Sequence, residues 1–482
     1  MLDIVIISVP GSLTRSPLAA PALLKSSVEA AGFTCKTIDF NIQFYQDVSD
    51  PSSLDTYFTT GLNTEEYNRA NELVETWTKD IVKLNPKFVG ISVFTYQNRI
   101  ATKLFCEHIR RGSDIKIILG GQGLSDGGIQ GVSGFGKELY DNNLIDHWIR
   151  SEGEISLIEL LKGNVTYPGI NSDTFKQIDD LDGLPFPNYD DYKLETYKLR
   201  SLPITGSRGC VRACSFCDIH EHWKYRYRSG QNIADEILYL NKKYQVSNFT
   251  FSDSLVNGNL KEFNKFTEIL AKHNKTTDQK ISWSSQYIVR SDGQINEEYW
   301  QNIADSGGTR LAIGVETGSD RVRLHMNKKF TNCDLDYTMS MLSKFNVTCQ
   351  FLMIVGYPTE TEQDFQETLD MFTRYQSYIS NIISINIGST LGILPGTPLF
   401  NSAEQLNLIT DKYENNWISL DNPELTLTKR IQRRHYLKEH VLKLGYHVQE
   451  DSDHMMQILD HNKEMFDNRL AVKKKIRIKN AK

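Results

Sequence analysis

The sequence lacks a long hydrophobic run, a basic leader and a large excess of either charge. Its longest apolar stretches, such as residues 4–9, are the length of a strand, whereas a membrane-spanning helix needs roughly 20 residues. The amino terminus carries an acid at Asp3 and no basic segment of a secretory signal. A formal net charge of -6 disfavours nucleic acid as a partner. We therefore predict a cytoplasmic protein with neither a membrane nor a nucleic-acid partner, and we interpret the basic tail at 472–482 as solvated.

Cysteine is also scarce, with seven residues in a chain of 482. Because the predicted compartment is reducing, structural disulfides are not expected. Three of the seven fall close together, at Cys210, Cys214 and Cys217. The remaining four are far apart in the sequence: Cys35, Cys106, Cys333 and Cys349.

Two series of strands and helices divide the chain. Up to about residue 165, buried apolar runs such as LDIVIISV and FVGISVF alternate with helical patterns, which predicts a parallel sheet with helices on both faces. From about residue 201 the alternation restarts and yields six βα units. Between the two series lies a polar segment rich in proline and acids, which disfavours regular structure.

The predicted fold class is therefore α/β. We assign a doubly wound, Rossmann-like domain to 1–165, a linker to 166–200, a partial six-unit βα barrel to 201–400 and a C-terminal helical region with a basic tail to 401–482. Ligands of such sheets bind at the carboxyl ends of the strands. The loops near residues 10–17, 95–98 and 120–128 are thus expected to line a pocket.

The spacing C-x3-C-x2-C of Cys210, Cys214 and Cys217 places three soft ligands in one loop, directly after a predicted strand. Thiolates of this kind suit an iron–sulfur cluster or zinc. A structural zinc site needs four ligands, which His220 and His222 could complete. A four-iron cluster on three cysteines instead leaves one iron open to an exogenous ligand.

With Phe216 before the last cysteine, the loop reads C-x3-C-x-Phe-C and resembles the signature of radical S-adenosylmethionine (SAM) enzymes. The resemblance implies that the cysteines hold a 4Fe–4S cluster whose open iron binds SAM, with Phe216 close to it. One electron from an external donor of the flavodoxin or ferredoxin type would then cleave SAM to a 5′-deoxyadenosyl radical. No further run of cysteines follows, so we expect one cluster.

Three other segments resemble the same family and imply contacts with SAM. FSDS after the second barrel strand corresponds to Asp253 and Ser254, GVETGSDRVRLHMNK to Glu316, and VGYPTET to Gly356 and Pro358. Each residue also has a structural interpretation. Asp253 and Glu316 stand at strand ends, where Asp253 could cap the next helix, and the glycine and proline could simply shape a turn.

The first 165 residues resemble the cobalamin-binding half of cobalamin-dependent radical SAM proteins, in SVPGSLTRSPLAAPALLKSSVEAAG, FVGISVFTYQN and LGGQG. The Asp-x-His-x-x-Gly motif of cobalamin mutases is absent, so cobalamin would bind without a protein histidine. The resemblance points to Pro10, Thr95, Gly120, Gly121 and Gly123 as contacts, since glycine permits close approach. A domain that has lost the cofactor and serves as scaffold is the alternative.

The leading hypothesis is a cobalamin-dependent methyltransferase acting on an unactivated carbon, or on phosphorus, of a small-molecule or peptide substrate that the sequence does not identify. The resemblance implies that the adenosyl radical removes a hydrogen atom and that methylcobalamin then donates the methyl group. One alternative is a radical rearrangement, cyclisation or oxidation without methyl transfer. A second is a non-catalytic cobalamin or redox sensor.

Overall fold

A computed structural model describes residues 2–11, 15–125, 134–150, 152–291, 293–388, 390–411, 415–449, 459, 463–471 and 473–474. The chain forms two compact units, Met1–Pro203 and Ile204–Lys482. No helix in the described ranges is long and apolar enough to cross a membrane.

The first unit is built on a five-stranded parallel sheet in the order β2-β1-β3-β4-β5. This is an order found in doubly wound folds. Its elements are β1 (Ile4–Ser8), α1 (Ala19–Ala30), β2 (Cys35–Asp39), α2 (Phe40–Asp47), α3 (Ser52–Thr60), α4 (Tyr67–Lys83), β3 (Phe88–Ser92), α5 (Arg99–Gly112), β4 (Lys116–Gly120), α6 (Gly134–Asp141), β5 (His147–Ile149) and α7 (Gly153–Leu161).

Strand β1 shows why the predicted apolar runs are continuous. Val5 and Ile7 belong to the core on one face of the sheet, with aromatic residues of α2, α4 and α5. Ile4 and Ile6 belong to the core on the other face, with residues of α1 and α7. A strand buried on both faces needs apolar side chains at successive positions.

The segment predicted as a linker, 166–200, is packed within the first unit. Asp191 accepts a hydrogen bond from the backbone N–H of Thr37 at 2.8 Å, and the Tyr197 hydroxyl donates to Asp39 at 2.6 Å. Both contacts fall on β2, the strand at the edge of the sheet. The segment therefore covers an edge that would otherwise expose unpaired backbone groups.

The second unit is built on a seven-stranded sheet in the order β6-β9-β10-β11-β12-β13-β16. The six strands predicted for the barrel occur as neighbours in chain order, which confirms the predicted fold class. Its elements up to β13 are β6 (Ser201–Ile204), β7 (Ser207–Arg208), α8 (Ile219–His222), β8 (Arg226–Tyr227), α9 (Gly230–Tyr244), β9 (Asn248–Phe251), α10 (Leu260–Thr276), β10 (Ser282–Tyr287), α11 (Glu297–Asp305), β11 (Gly308–Glu316), α12 (Asp320–His325), α13 (Asn332–Lys344), β12 (Thr348–Met353), α14 (Glu362–Arg374) and β13 (Ile382–Asn386).

The region beyond residue 397 contains the predicted helix but also three strands that were not predicted. It comprises α15 (Pro398–Asn401), the antiparallel pair β14 (Leu408–Thr410) and β15 (Trp417–Ser419), α16 (Leu427–Lys443) and β16 (Val448–Gln449). Strand β16 extends the barrel sheet beside β13. Most of the basic tail lies outside the described residues.

Candidate active site

The three clustered cysteines lie in a loop closed at its base. Strands β7 and β8 form a short antiparallel ladder in which Ser207 pairs with Tyr227. The residue directly after β7, Gly209, has a φ of +83°. A Cβ there would lie 2.8 Å from the carbonyl oxygens of Trp223 and Lys224. The loop at 209–225, hereafter the cysteine loop, therefore requires glycine at its entrance.

Backbone and side-chain hydrogen bonds attach the cysteine loop to two other segments. The Ser215 N–H donates to the Met326 carbonyl at 3.0 Å, and the Ser215 carbonyl accepts from the Leu399 N–H at 2.7 Å. The Asn327 side-chain amide donates to the Ala213 carbonyl at 2.7 Å. The chain on both sides of Cys214 is thus fixed by the segment after α12 and by the start of α15.

Tyr357 forms a third attachment. Its hydroxyl lies 2.8 Å from the Ser215 hydroxyl and 3.0 Å from His325 Nδ1. The Tyr357 side chain is fully buried, so these partners satisfy a polar group that would otherwise cost free energy. The turn at residues 356–358, which is predicted to contact SAM, therefore also holds the cysteine loop through a side-chain hydrogen bond.

The thiols of Cys210, Cys214 and Cys217 are not in disulfides. Cys214 is buried and the other two are half-buried. Burial raises the pKa of all three thiols, and the positive charge of Lys328 opposes that shift at each of them. The cation thus favours the thiolate form that binds metal, whereas burial disfavours it.

The donor set fits an iron–sulfur cluster better than zinc. In the described parts of the chain, no three His, Cys, Asp or Glu side chains converge on one point as ligands of a single ion do. His220 and His222, on α8, do not complete such a group. Each cysteine of a four-iron cluster binds a different iron, so three separated thiols on one fixed loop are what that cluster needs.

Glu316 and Lys328 form a buried ion pair beside the cysteine loop. Lys328 Nζ lies 2.8 Å from Glu316 Oε1, with side chains 12% and 10% exposed. Glu316 has a φ of +66° at a register shift in β11. A Cβ on Gly314 would lie 2.5 Å from the carboxylate and 2.9 Å from the ammonium. Strained backbone of this kind is concentrated at functional sites.

The Asp253 carboxylate binds the segment just before the cysteine loop. Its two carboxylate oxygens accept hydrogen bonds from the Gly206 N–H at 2.9 Å and the Ser207 hydroxyl at 2.6 Å. Burial raises the pKa of Asp253 to about 6, against these hydrogen bonds. Asp253 thus fixes the chain just before the cysteine loop. The capping interpretation is wrong, because Asn259 caps α10.

Four other residues are predicted to contact SAM: Phe216, Ser254, Gly356 and Pro358. Ser254 is half-buried, and Pro358 is buried. Gly356 has a φ of +80°, and a Cβ there would lie 2.5 Å from the side chain of Arg430. The Phe216 ring centroid lies 6.0 Å from Lys328 Nζ. Their contacts with SAM remain predictions, and the structure adds a packing reason for Gly356.

The first unit contains a cavity of about 150 Å³. It lies between β1, β3, β4 and β5 on one side and α1 and α7 on the other, and it is largely apolar. The lining residues are Ile6, Ala20, Leu24, Gly90, Ile91, Ser92, Ile118, Leu119, Gly120, Gly121, Ile149, Gly153, Glu154 and Leu157.

Two of the five residues predicted to contact cobalamin, Gly120 and Gly121, line this cavity. Gly121 has a φ of +109°, and a Cβ there would clash with the Val93 carbonyl. A Cβ on Gly123 would clash with the Thr95 carbonyl. These two glycines are therefore required by the close approach of the loop after β3.

The remaining two residues predicted to contact cobalamin, Pro10 and Thr95, each accept a hydrogen bond from the loop after β3. The Asn98 side-chain amide donates to the Pro10 carbonyl at 3.1 Å. The Thr95 hydroxyl accepts from the Gln97 N–H at 3.2 Å. Neither lines the cavity, and a contact of either with cobalamin remains a prediction.

Sequence reasoning missed His325, Asn327, Lys328 and Tyr357. Three of them stand inside a segment quoted for the family resemblance, GVETGSDRVRLHMNK, and Tyr357 stands between the predicted Gly356 and Pro358. The signal was present, but the motifs do not say which side chains turn towards the cysteine loop.

Residues 204–372 match the sequence model of the Radical SAM superfamily. Residues 204–372 therefore contain a radical SAM domain. The match covers the cysteine loop, both members of the Glu316–Lys328 pair and the turn around Tyr357, so the resemblance predicted for this unit is confirmed.

Similarity also extends over both units. The chain is 23% identical over 392 residues to an uncharacterized methyltransferase of Pyrococcus horikoshii, covering 76% of this chain and 78% of that protein. The radical SAM methyltransferase TsrM from Kitasatospora setae, solved with cobalamin and a 4Fe–4S cluster, aligns at a TM-score of 0.59 and 16% identity over 87% of this chain and 83% of TsrM. The cobalamin-dependent radical SAM enzyme OxsB aligns with a TM-score of 0.66 and 17% identity. That alignment covers 89% of this chain and 66% of OxsB. The chain therefore has the fold of these cobalamin-dependent radical SAM enzymes.

Proposed function

We propose that this chain is a cobalamin-dependent radical SAM methyltransferase that methylates an unactivated carbon, or phosphorus, of a small-molecule or peptide substrate. The cysteine loop carries the proposal: it is closed at Gly209, attached through Ser215 and Tyr357, and presents three thiols outside any disulfide. The relationship to a methyltransferase of Pyrococcus horikoshii and the fold shared with TsrM support methyl transfer as the reaction.

Cys210, Cys214 and Cys217 would hold the cluster, which leaves one of its irons open for SAM. When bound, such a cluster supplies the electron that splits the sulfonium of SAM, and cobalamin supplies a carrier for the methyl group. The task of the chain is to hold these groups in fixed positions. The attachments of Ser215, Ala213 and Gly209 perform that task at the cluster.

We propose that Phe216, Ser254, Glu316, Gly356 and Pro358 surround SAM, as the family resemblance implies. Asp253 acts on the cysteine loop and not on SAM itself. Because both of its carboxylate oxygens accept hydrogen bonds from residues 206–207, it fixes the direction in which the chain enters the cysteine loop.

The cavity of the first unit supports cobalamin as the second cofactor. Its apolar walls suit a flat aromatic group such as the base of cobalamin's nucleotide tail. The absence of a side chain at Gly120 and Gly121, which line it, leaves room for close approach by the cofactor. A protein histidine on cobalt is not part of the proposal.

The proposed electron donor is an external protein of the flavodoxin or ferredoxin type. In an assay, dithionite can replace it, so that the proposal is tested without a partner protein.

The test uses the full chain, purified without oxygen, loaded with iron and sulfide, and supplied with hydroxocobalamin, dithionite and methyl-labelled SAM. We expect 5′-deoxyadenosine to form and label to appear on cobalamin. Deoxyadenosine without labelled cobalamin would contradict methyl transfer and favour a rearrangement, cyclisation or oxidation. Cluster and cobalamin without SAM cleavage would instead favour the sensor hypothesis.

A further inference from the structure

Lys328 is a buried cation next to the cysteine loop. Its ammonium group lies 2.8 Å from Glu316 Oε1 and about equally far from two aromatic rings, at 6.0 Å from the centroid of Phe216 and 5.9 Å from that of Phe330. The residue before it, Asn327, donates a hydrogen bond into the loop. The charge is therefore held in one place against the loop that carries the cysteines.

Lys328 and the cysteine loop share a small pocket, because its lining includes both Lys328 and Arg212, which stands between Cys210 and Cys214. Burial is the largest influence on the pKa of Lys328 and lowers it, but Glu316 and Cys214 outweigh that effect, so that the pKa lies above the ordinary value. Lys328 thus stays protonated at neutral pH.

We infer that Lys328 sets the reduction potential of the cluster held by the cysteine loop, with Glu316 acting in the opposite direction. The inference rests on the proposed function, because it needs a cluster on these cysteines. Reduction takes one electron from an external one-electron donor, which is oxidised, and adds one negative charge at the cluster without a proton. A fixed cation stabilises the reduced state, and the stabilisation is large where water is excluded.

Among the described residues, the Lys328 side chain forms no hydrogen bond to the cysteine loop; its ammonium donates to Glu316. The attachments use the Met326 carbonyl and the Asn327 amide, and the Lys328 backbone N–H donates to the Arg323 carbonyl at 3.0 Å. Because none of these bonds uses the ammonium, we expect them to persist when it is replaced by an uncharged group. A change at Lys328 should therefore alter the electrostatics of the loop while leaving its anchoring in place.

The experiment is a redox titration of the cluster in the full chain, followed by electron paramagnetic resonance, with iron content measured in parallel. In Lys328→Met we expect the equilibrium constant for reduction to fall about tenfold, equal to a shift of about 59 mV to more negative potential for a one-electron couple. Glu316→Gln should shift the potential in the opposite direction. In Lys328→Arg the reduction potential should stay near that of the unmodified chain.

Lys344→Met is the matched control, because Lys344 is a half-exposed lysine on α13 paired with Glu297; it should leave the potential unchanged. A full iron content with an unchanged potential in Lys328→Met would overturn the inference but not the proposed function. If Lys328→Met fails to load iron, Glu316→Gln decides: a positive shift supports the inference and no shift overturns it. Absence of iron from the unmodified chain would overturn the proposed function itself.

Discussion

The two units differ in the kind of site that they offer a cofactor. The second unit presents three thiols on a loop that hydrogen bonds hold in place. The first offers a cavity whose described lining is mostly apolar and includes no histidine or cysteine. A cofactor held by coordination requires ligand residues at a fixed spacing, which can be recognised in one sequence. A cofactor held by the shape of a cavity requires no such spacing. Four predictions test this contrast, from the largest expected effect to the smallest.

The largest effect is expected at the thiols. Replacing Cys214 with alanine removes one of three ligands. The unmodified chain should hold about four irons, and we expect the variant to lose most of them. We also expect the rate of 5′-deoxyadenosine formation to fall at least a thousandfold. Iron and sulfide analysis and product chromatography measure both. Cys333→Ala, at an exposed cysteine, is the control and should behave like the unmodified chain. Retained iron and activity in Cys214→Ala would contradict the cluster assignment.

The second prediction concerns the cavity. Ala20, an exposed residue near the start of α1 that lines it, can be replaced with tryptophan to narrow the space. We expect cobalamin to bind at least tenfold more weakly, measured by absorbance titration, while cleavage of SAM without substrate is unaffected. Ala30→Trp, at the exposed far end of the same helix, should bind cobalamin normally. Equal binding by the two variants would remove the cavity from the proposal.

Gly209 tests how far the coordination site also depends on shape. Alanine at this position would meet the Trp223 and Lys224 carbonyls and adopt a left-handed φ, which costs about 1–3 kcal/mol of strain. We expect several-fold faster loss of iron to a chelator, with thermal unfolding at a slightly lower temperature. Gly293→Ala matches the backbone effect, because Gly293 also has a positive φ but no atom near its missing Cβ; it should leave iron retention unchanged. Equal iron loss from both variants would contradict the proposed close fit at the loop entrance.

The smallest effect is expected at Tyr357. Phenylalanine keeps the packing but removes the hydroxyl that joins Ser215 and His325, a loss of about 1–3 kcal/mol when a buried partner is left unpaired. We expect two- to fivefold faster iron loss in the chelator assay and near-normal SAM cleavage once the cluster is loaded. Tyr436→Phe, at an exposed tyrosine on α16, should match the unmodified chain. Iron loss at an unchanged rate in Tyr357→Phe would show that the hydroxyl does not support the loop.

The six barrel strands and the first four strands of the doubly wound sheet could be predicted from local pattern. Some, such as β1, are continuous apolar runs, and others, such as β2, bury only alternate residues. Strands β5, β7, β8 and β14–β16 were missed because each has only two or three residues, too few to show an alternating pattern. These strands form because neighbouring chain segments pair with them, which a local pattern does not contain.

The cysteines of the site could be predicted because coordination fixes their spacing. The roles of Tyr357 and Lys328 could not, because their partners are distant in sequence: Tyr357 meets Ser215, 142 residues earlier. Gly121 and Gly123 were assigned to cofactor contact, and the structure adds a steric reason for each glycine in the loop after β3. Their contact with cobalamin stays a prediction.

The central claim is that the cysteine loop holds a cluster with one iron open to SAM. Electron paramagnetic resonance of the dithionite-reduced chain, recorded with and without SAM, tests it most directly. The account predicts the signal of a reduced 4Fe–4S cluster that changes shape when SAM is added and is absent from Cys214→Ala. A signal that SAM leaves unchanged, or a chain that binds zinc and no iron, would contradict it.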